Sequence, residues 1–184
     1  MTAATSVASA EVSDPASPSS APAPARAGTT RTSARSKARK RALDILFESE
    51  VRGTDPLVTL AERAADAEPP LRDYTRTLVE GVADHREAID ARISAALASG
   101  WTLPRTPKVD RSALRIAVLE IDHLEVPDSV AVSEAIRLVS DLSTDESPAF
   151  VHGVLGAIVD SKAPVPADTG SATAEEPGAH DVAS

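Results

Sequence analysis

The sequence predicts an all-α fold of about seven helices, and three observations carry that prediction. Apolar residues recur at three- and four-residue intervals through the middle of the chain, with no run of two-residue alternation. They make up 42% of the chain while aromatics make up only 2%, so the core is built from Ala, Leu, Ile and Val, a composition that suits helices better than sandwiches or barrels. Gly53, Pro69-Pro70, Gly100, Pro104, Pro107 and Pro127 fall between the periodic segments, where helices stop.

The first segment aligns Ala38, Ala42, Ile45, Leu46 and Ser49 on one stripe and ends near Arg52-Gly53, with Gly53 as the stop. Asp55 caps the second and Pro56 occupies its first position; Leu57, Leu60, Ala61 and Ala64 follow, and Glu68-Pro69-Pro70 closes it. A third runs through Leu71, Tyr74, Leu78, Val79 and Val82. It passes Gly81 into a fourth bearing Ile89, Ile93, Ala96 and Leu97, closed by Gly100. The connector 101–107 holds two prolines and cannot be a regular helix, and Trp101 is expected to pack there as a hinge residue.

The fifth helix, about 109–124, is apolar at Ala113, Leu114, Ile116, Ala117, Val118, Leu119 and Ile121, too many for one stripe, so it should be central and buried on most sides. Asp128 or Ser129 caps the sixth, which lines up Ala131, Ala135, Leu138, Val139 and Leu142. The seventh, after Ser147-Pro148, places Phe150, Val151, Val154, Leu155, Ile158 and Val159 at helical spacing. Gly153 and Gly156 within it each cost about 1 kcal/mol against Ala. They are expected to mark a close approach by another helix.

The folded unit is thus residues 33–161, divided by the connector into packed helical subdomains of about 33–100 and 101–161. Residues 1–32 and 162–184 are rich in Ala, Ser, Thr, Pro and Gly and should be disordered tails. The net charge of −9 conceals an asymmetry. Residues 1–41 carry seven Lys or Arg against two acids, whereas the remainder carries twelve against 26. A basic arm on an acidic body suits a protein that touches a polyanion locally; a solubilising tail has the same signature. With no cysteine, thiolate metal sites and a cysteine nucleophile are excluded. No apolar signal segment or membrane-length run occurs, which points to a soluble cytoplasmic protein with no membrane contact.

The chemistry of catalysis finds little support. His85, His123, His152 and His180 are scattered, no Gly-rich phosphate loop is present, and acidic pairs such as Glu80 with Asp84 or Glu87 with Asp90 read as a solvated helix face. The sequence therefore predicts no enzyme, no metal and no cofactor. What remains is Arg35, Lys37, Arg39, Lys40 and Arg41 at the opening of the first helix. Arg35 and Arg39 lie one turn apart, as do Lys37 and Arg41. Cations in a first turn oppose the helix dipole, and neutralisation of nucleic-acid phosphates supplies a reason for them.

Taken in order, several stretches are similar to the NusB family. Arg35-Ser36-Lys37-Ala38-Arg39-Lys40-Arg41-Ala42-Leu43 with Leu46-Phe47 resembles its arginine-rich first helix, and Tyr74, Leu78-Val79 and Gly81-Val82 its central segment. Trp101-Thr102-Leu103 followed by Val109 to Ala117 resembles its most recognisable stretch; Val126-Pro127, Ser133 to Ile136, Ser147, Phe150-Val151 and Gly153 to Leu155 resemble its end. The resemblance covers about residues 35–160. It implies a transcription antitermination factor that binds boxA RNA of ribosomal RNA transcripts together with NusE, a ribosomal protein, and joins other Nus factors on RNA polymerase. By position it assigns Arg35, Lys37, Arg39, Lys40, Arg41, Phe47, Phe150 and His152 to the RNA surface, and Asp145 and Glu146 to the protein contact. Phe47 stands where the family commonly has Tyr, Ala149 where it has Lys or Arg, and His152 where it has Asn. Other readings are a helical protein-interaction or dimerisation module, including a homodimer, and a regulatory domain related to ribosomal RNA methyltransferases.

Overall fold

A computed structural model describes residues 27–162, with side chains from residue 34 onward. The helices are α1 (Ala27–Arg52), α2 (Pro56–Ala65), α3 (Asp73–Asp84), α4 (Arg86–Ala96), α5 (Lys108–His123), α6 (Asp128–Leu142) and α7 (Ser147–Asp160), with one 3-10 turn at Leu103–Arg105. Among the described residues there is no strand. α1 begins earlier than its apolar stripe, inside the stretch expected to be disordered; the other residues of the expected tails, 1–26 and 163–184, lie outside the described residues.

The helix ends follow local chemistry. Gly53 adopts φ 65°, a left-handed conformation natural to glycine, and the Thr54 N–H donates back to the Ser49 carbonyl at 2.9 Å, closing α1. Asp55 caps α2 by accepting the Leu57 N–H at 2.7 Å, with Pro56 at the first helical position. α3 and α4 are separated at His85 rather than at Gly81. Pro127 precedes α6, so Asp128 is the first helical residue and not its cap.

Gly81 has a packing reason that its mid-helix position does not reveal. A Cβ there would stand 2.8 Å from Cδ2 of the buried Leu119, so α3 crosses α5 too closely for a side chain unless Leu119 shifts. Gly153 and Gly156 behave oppositely: a Cβ at either would meet nothing within 4 Å, which overturns the expected close approach.

α5 is the central element and packs on α1, α3, α4, α6 and α7. Every residue from Asp110 to Ile121 is buried. The charged members of that run find partners indoors. Arg111 donates to the Leu103 carbonyl at 2.7 Å and pairs with Glu50 of α1. Arg115 grips Asp90 of α4 through Nε at 2.7 Å and a terminal nitrogen at 2.9 Å, and reaches Glu50 at 3.3 Å. Burial opposes the charge on Asp90, but Arg115 and Arg86 outweigh it and hold the carboxyl below its usual range. Among the described residues no helix is long and apolar enough to cross a membrane.

Candidate nucleic-acid interface

The helical period divides the basic segment of α1 into two faces. Ser36, Ala38, Arg39, Ala42, Leu43, Ile45 and Leu46 are buried, whereas Arg35, Lys37, Lys40, Arg41 and Phe47 are exposed. Lys40 makes an exposed i,i+4 pair with Asp44 at 3.3 Å, an arrangement worth only about 0.3–0.5 kcal/mol. Arg35 lies over the ring of Tyr74, 5.0 Å from its centroid. Among the described residues Arg35, Lys37 and Arg41 have no carboxylate partner. Lys37 and Arg41 line a groove with Pro69, Pro70 and the start of α3, where Arg72 adds a further cation. Sequence reasoning missed Arg72. It belongs to no basic run, and only the packing of α3 on α1 brings it alongside.

Arg39 is the correction. It is 2% exposed, with Nε donating to Glu120 at 2.8 and 3.1 Å and a terminal nitrogen 3.5 Å from Glu134. The reason is its register: three residues before Ala42 and seven before Leu46, it belongs to the core stripe and not to the outer face. Ser36 donates to Glu134 at 2.9 Å, and the Tyr74 hydroxyl donates to Glu120. Burial raises the Glu120 pKa above the usual carboxylate range despite Tyr74 and Arg39, and burial with the adjoining Glu120 pushes the Tyr74 phenol well up. Glu120, an acid inside an apolar helix, was the sequence signal that a buried cation was required.

The dipole argument also changes. Because α1 begins at Ala27, the cations at 35–41 stand more than two turns inside the helix, beyond the first turn where the dipole acts. The solvent exposure of Arg35, Lys37 and Arg41 without acidic partners among the described residues, rather than a conflict with the helix axis, is what marks them.

A second surface forms around α7. Trp101, expected as a packed hinge residue, is 53% exposed, and its ring lies 5.4 Å from that of the half-buried Phe150, tilted by 34°. Together with Ala96, Ala98, Gly153 and Val154 they line an open apolar hollow of about 400 Å³. His152 is exposed on the same helix, and Asp145 and Glu146 are exposed in the turn before it. That turn is anchored from below: Ser147 donates to the buried Asp110 of α5 at 2.8 Å and accepts the Thr144 N–H at 3.3 Å. Both surfaces rest on α5, but their other neighbours differ: α1 packs with α2 and α3, and α7 with α4 and α6.

The NusB family model matches residues 36–160. The transcription antitermination protein NusB of a Nocardioides species is 56% identical over 126 residues, which cover 68% of this chain and 93% of that protein. Among solved structures, NusB from T. maritima aligns with TM-score 0.62 at 30% identity, covering 71% of this chain and 93% of its own. A chain of the crystal structure of antitermination factors NusB and NusE in complex with double-stranded RNA aligns with TM-score 0.63 at 28% identity, over 71% of this chain and 98% of that one.

Proposed function

The chain belongs to the NusB family of transcription antitermination proteins, and from that premise we propose that the outward cations of α1 are its RNA-binding surface. The observation that carries this reading is the exposure of Arg35, Lys37 and Arg41 without carboxylate partners among the described residues, on a body otherwise rich in acid. Each cation set on a phosphate releases counterions and adds salt-sensitive affinity. Arg72 extends the line across the groove to α3.

The hollow between Trp101 and Phe150 supplies what phosphate contacts lack. An exposed aromatic ring is a stacking platform for an unpaired base, worth about 1–3 kcal/mol per base, and single-stranded RNA elements are read this way. His152 stands beside it. Phe47, exposed one turn before the exposed Val51, gives α1 an apolar edge for the RNA or its protein partner. Asp145 and Glu146 offer an acidic turn to a basic protein, and NusE, which has been solved together with NusB and double-stranded RNA, is the partner proposed for it. The protein acts by binding, in the cytoplasm, on boxA-containing ribosomal RNA transcripts in a Nus-factor complex on RNA polymerase.

The test is a titration of boxA RNA and a scrambled control at several salt concentrations, with and without NusE. Preference for boxA when NusE is present is the expected result. Equal binding of both RNAs at physiological salt in its presence overturns the reading.

A further inference from the structure

We infer that Tyr74 is a positioning residue for RNA binding, its ring holding Arg35 in place on the surface while its hydroxyl serves the interior. The inference rests on the RNA reading of α1. Tyr74 lies on α3, half-buried, at the boundary between the outer and inner faces of the basic segment. Two guanidiniums from adjacent turns of α1 lie against its ring, Arg35 at 5.0 Å and Arg39 at 5.6 Å from the centroid. Its hydroxyl reaches the same Glu120 that pairs with Arg39.

The two guanidiniums have different fates. Arg39 is fixed by Glu120 and Glu134, so the ring adds little to its placement. Arg35 has no carboxylate partner among the described residues and rests on the ring face. An arginine side chain free in water gives up much rotamer entropy when it settles on a phosphate, and a cation already resting on an aromatic face has given up part of it beforehand. Thr75 ties the same part of α3 to α1 by donating to the Ala38 carbonyl at 3.3 Å. Ring and cation are thereby kept in register.

The experiment separates ring from hydroxyl. Tyr74→Phe keeps the ring, and its boxA affinity should stay within about twofold of wild type although it is less stable, because Glu120 loses a donor. Tyr74→Leu removes the ring as well and should weaken RNA binding by about two- to fivefold. In the background of Arg35→Ala, Tyr74→Leu should have no further effect on affinity. A Tyr74→Phe variant as weak as Tyr74→Leu, or losses that multiply in the double variant, overturns the inference. An RNA-independent measurement accompanies it: in the free protein the Arg35 side-chain NMR resonances should show a ring-current shift that persists in Tyr74→Phe and vanishes in Tyr74→Leu. Unshifted resonances in the free wild type overturn the positioning role by themselves, whereas failure of the wild type to prefer boxA overturns the underlying RNA reading.

Discussion

Arg111 and Arg115 of α5 stand one turn apart, as do Lys37 and Arg41 of α1, yet the two pairs have opposite surroundings. The α5 pair is buried and met by Glu50 and Asp90; the α1 pair is exposed and met by no acid among the described residues. The difference teaches that the work of a cation is set by whether carboxylates converge on it. Buried and paired, it ties helices together. Exposed and unpaired, it is free for an external anion. Arg39 sits on α1, the helix proposed to face RNA, but belongs with the α5 pair.

The strongest way to break this comparison is to remove a buried member. Arg115→Met leaves Asp90 and Glu50 with a lost partner each; because Asp90 keeps Arg86 and Glu50 keeps Arg111, the cost should fall at or below the low end of the roughly 3–5 kcal/mol for stranding a buried charge. Chemical denaturation should show a loss of that order, and a change below about 1 kcal/mol would mean that the interior pairs contribute little. Arg39→Met should follow closely, since it leaves Glu120 with the Tyr74 hydroxyl but no cation and weakens the hold on Glu134. Reversing Arg39 to Glu should be worse, because it gathers three carboxylates in the interior. Folding, not RNA contact, is therefore what an Arg39 variant reports.

Acid titration sharpens the comparison next. Asp90 is held below its unfolded pKa, so its contribution is present above about pH 4 and is lost as pH falls through the folded value. Glu120 is shifted the other way, and its native form binds the proton more readily than the unfolded chain does. Its contribution to stability therefore grows as pH falls from its folded pKa toward about 4.5. Glu120→Gln should steepen the loss of stability on acidification from pH 7, and Asp90→Asn should flatten the loss below pH 4. Thermal melts across that range check both signs.

On the exposed side, Arg41→Ala should change stability by no more than about 0.5 kcal/mol while lowering the salt dependence of RNA binding by about 0.7–0.9 in log–log slope. Arg72→Ala should do the same, as the test of a cation that no sequence run revealed. A folded variant with an unaltered slope removes that residue from the phosphate-contacting set.

Much of this was legible in the sequence, for reasons that stay local. The stop at Gly53, the cap at Asp55 and the all-round burial of α5 follow from residue type and spacing. The basic segment was found as a run, but its division was not, because charge drew Arg39 outward while its register with Ala42 and Leu46 placed it inside. Arg72 and the contact of Trp101 with Phe150 depend on helix packing between distant segments. No periodicity within one segment encodes them.

The smallest effects lie on α7 and test whether the outer surface extends there. Gly153 and Gly156 are both helical with open space where a Cβ would be, so Ala at either should stabilise the fold by about 0.5–1 kcal/mol. Only Gly153 lines the hollow beside Trp101 and Phe150. If a base stacks in that hollow, Gly153→Ala narrows its seat and weakens RNA binding while Gly156→Ala leaves it unchanged, even though the two variants melt at similar temperatures. Equal affinity for boxA RNA in both would remove the hollow from the RNA surface. The exposed cations of α1 and the groove to Arg72 would then carry the contact alone.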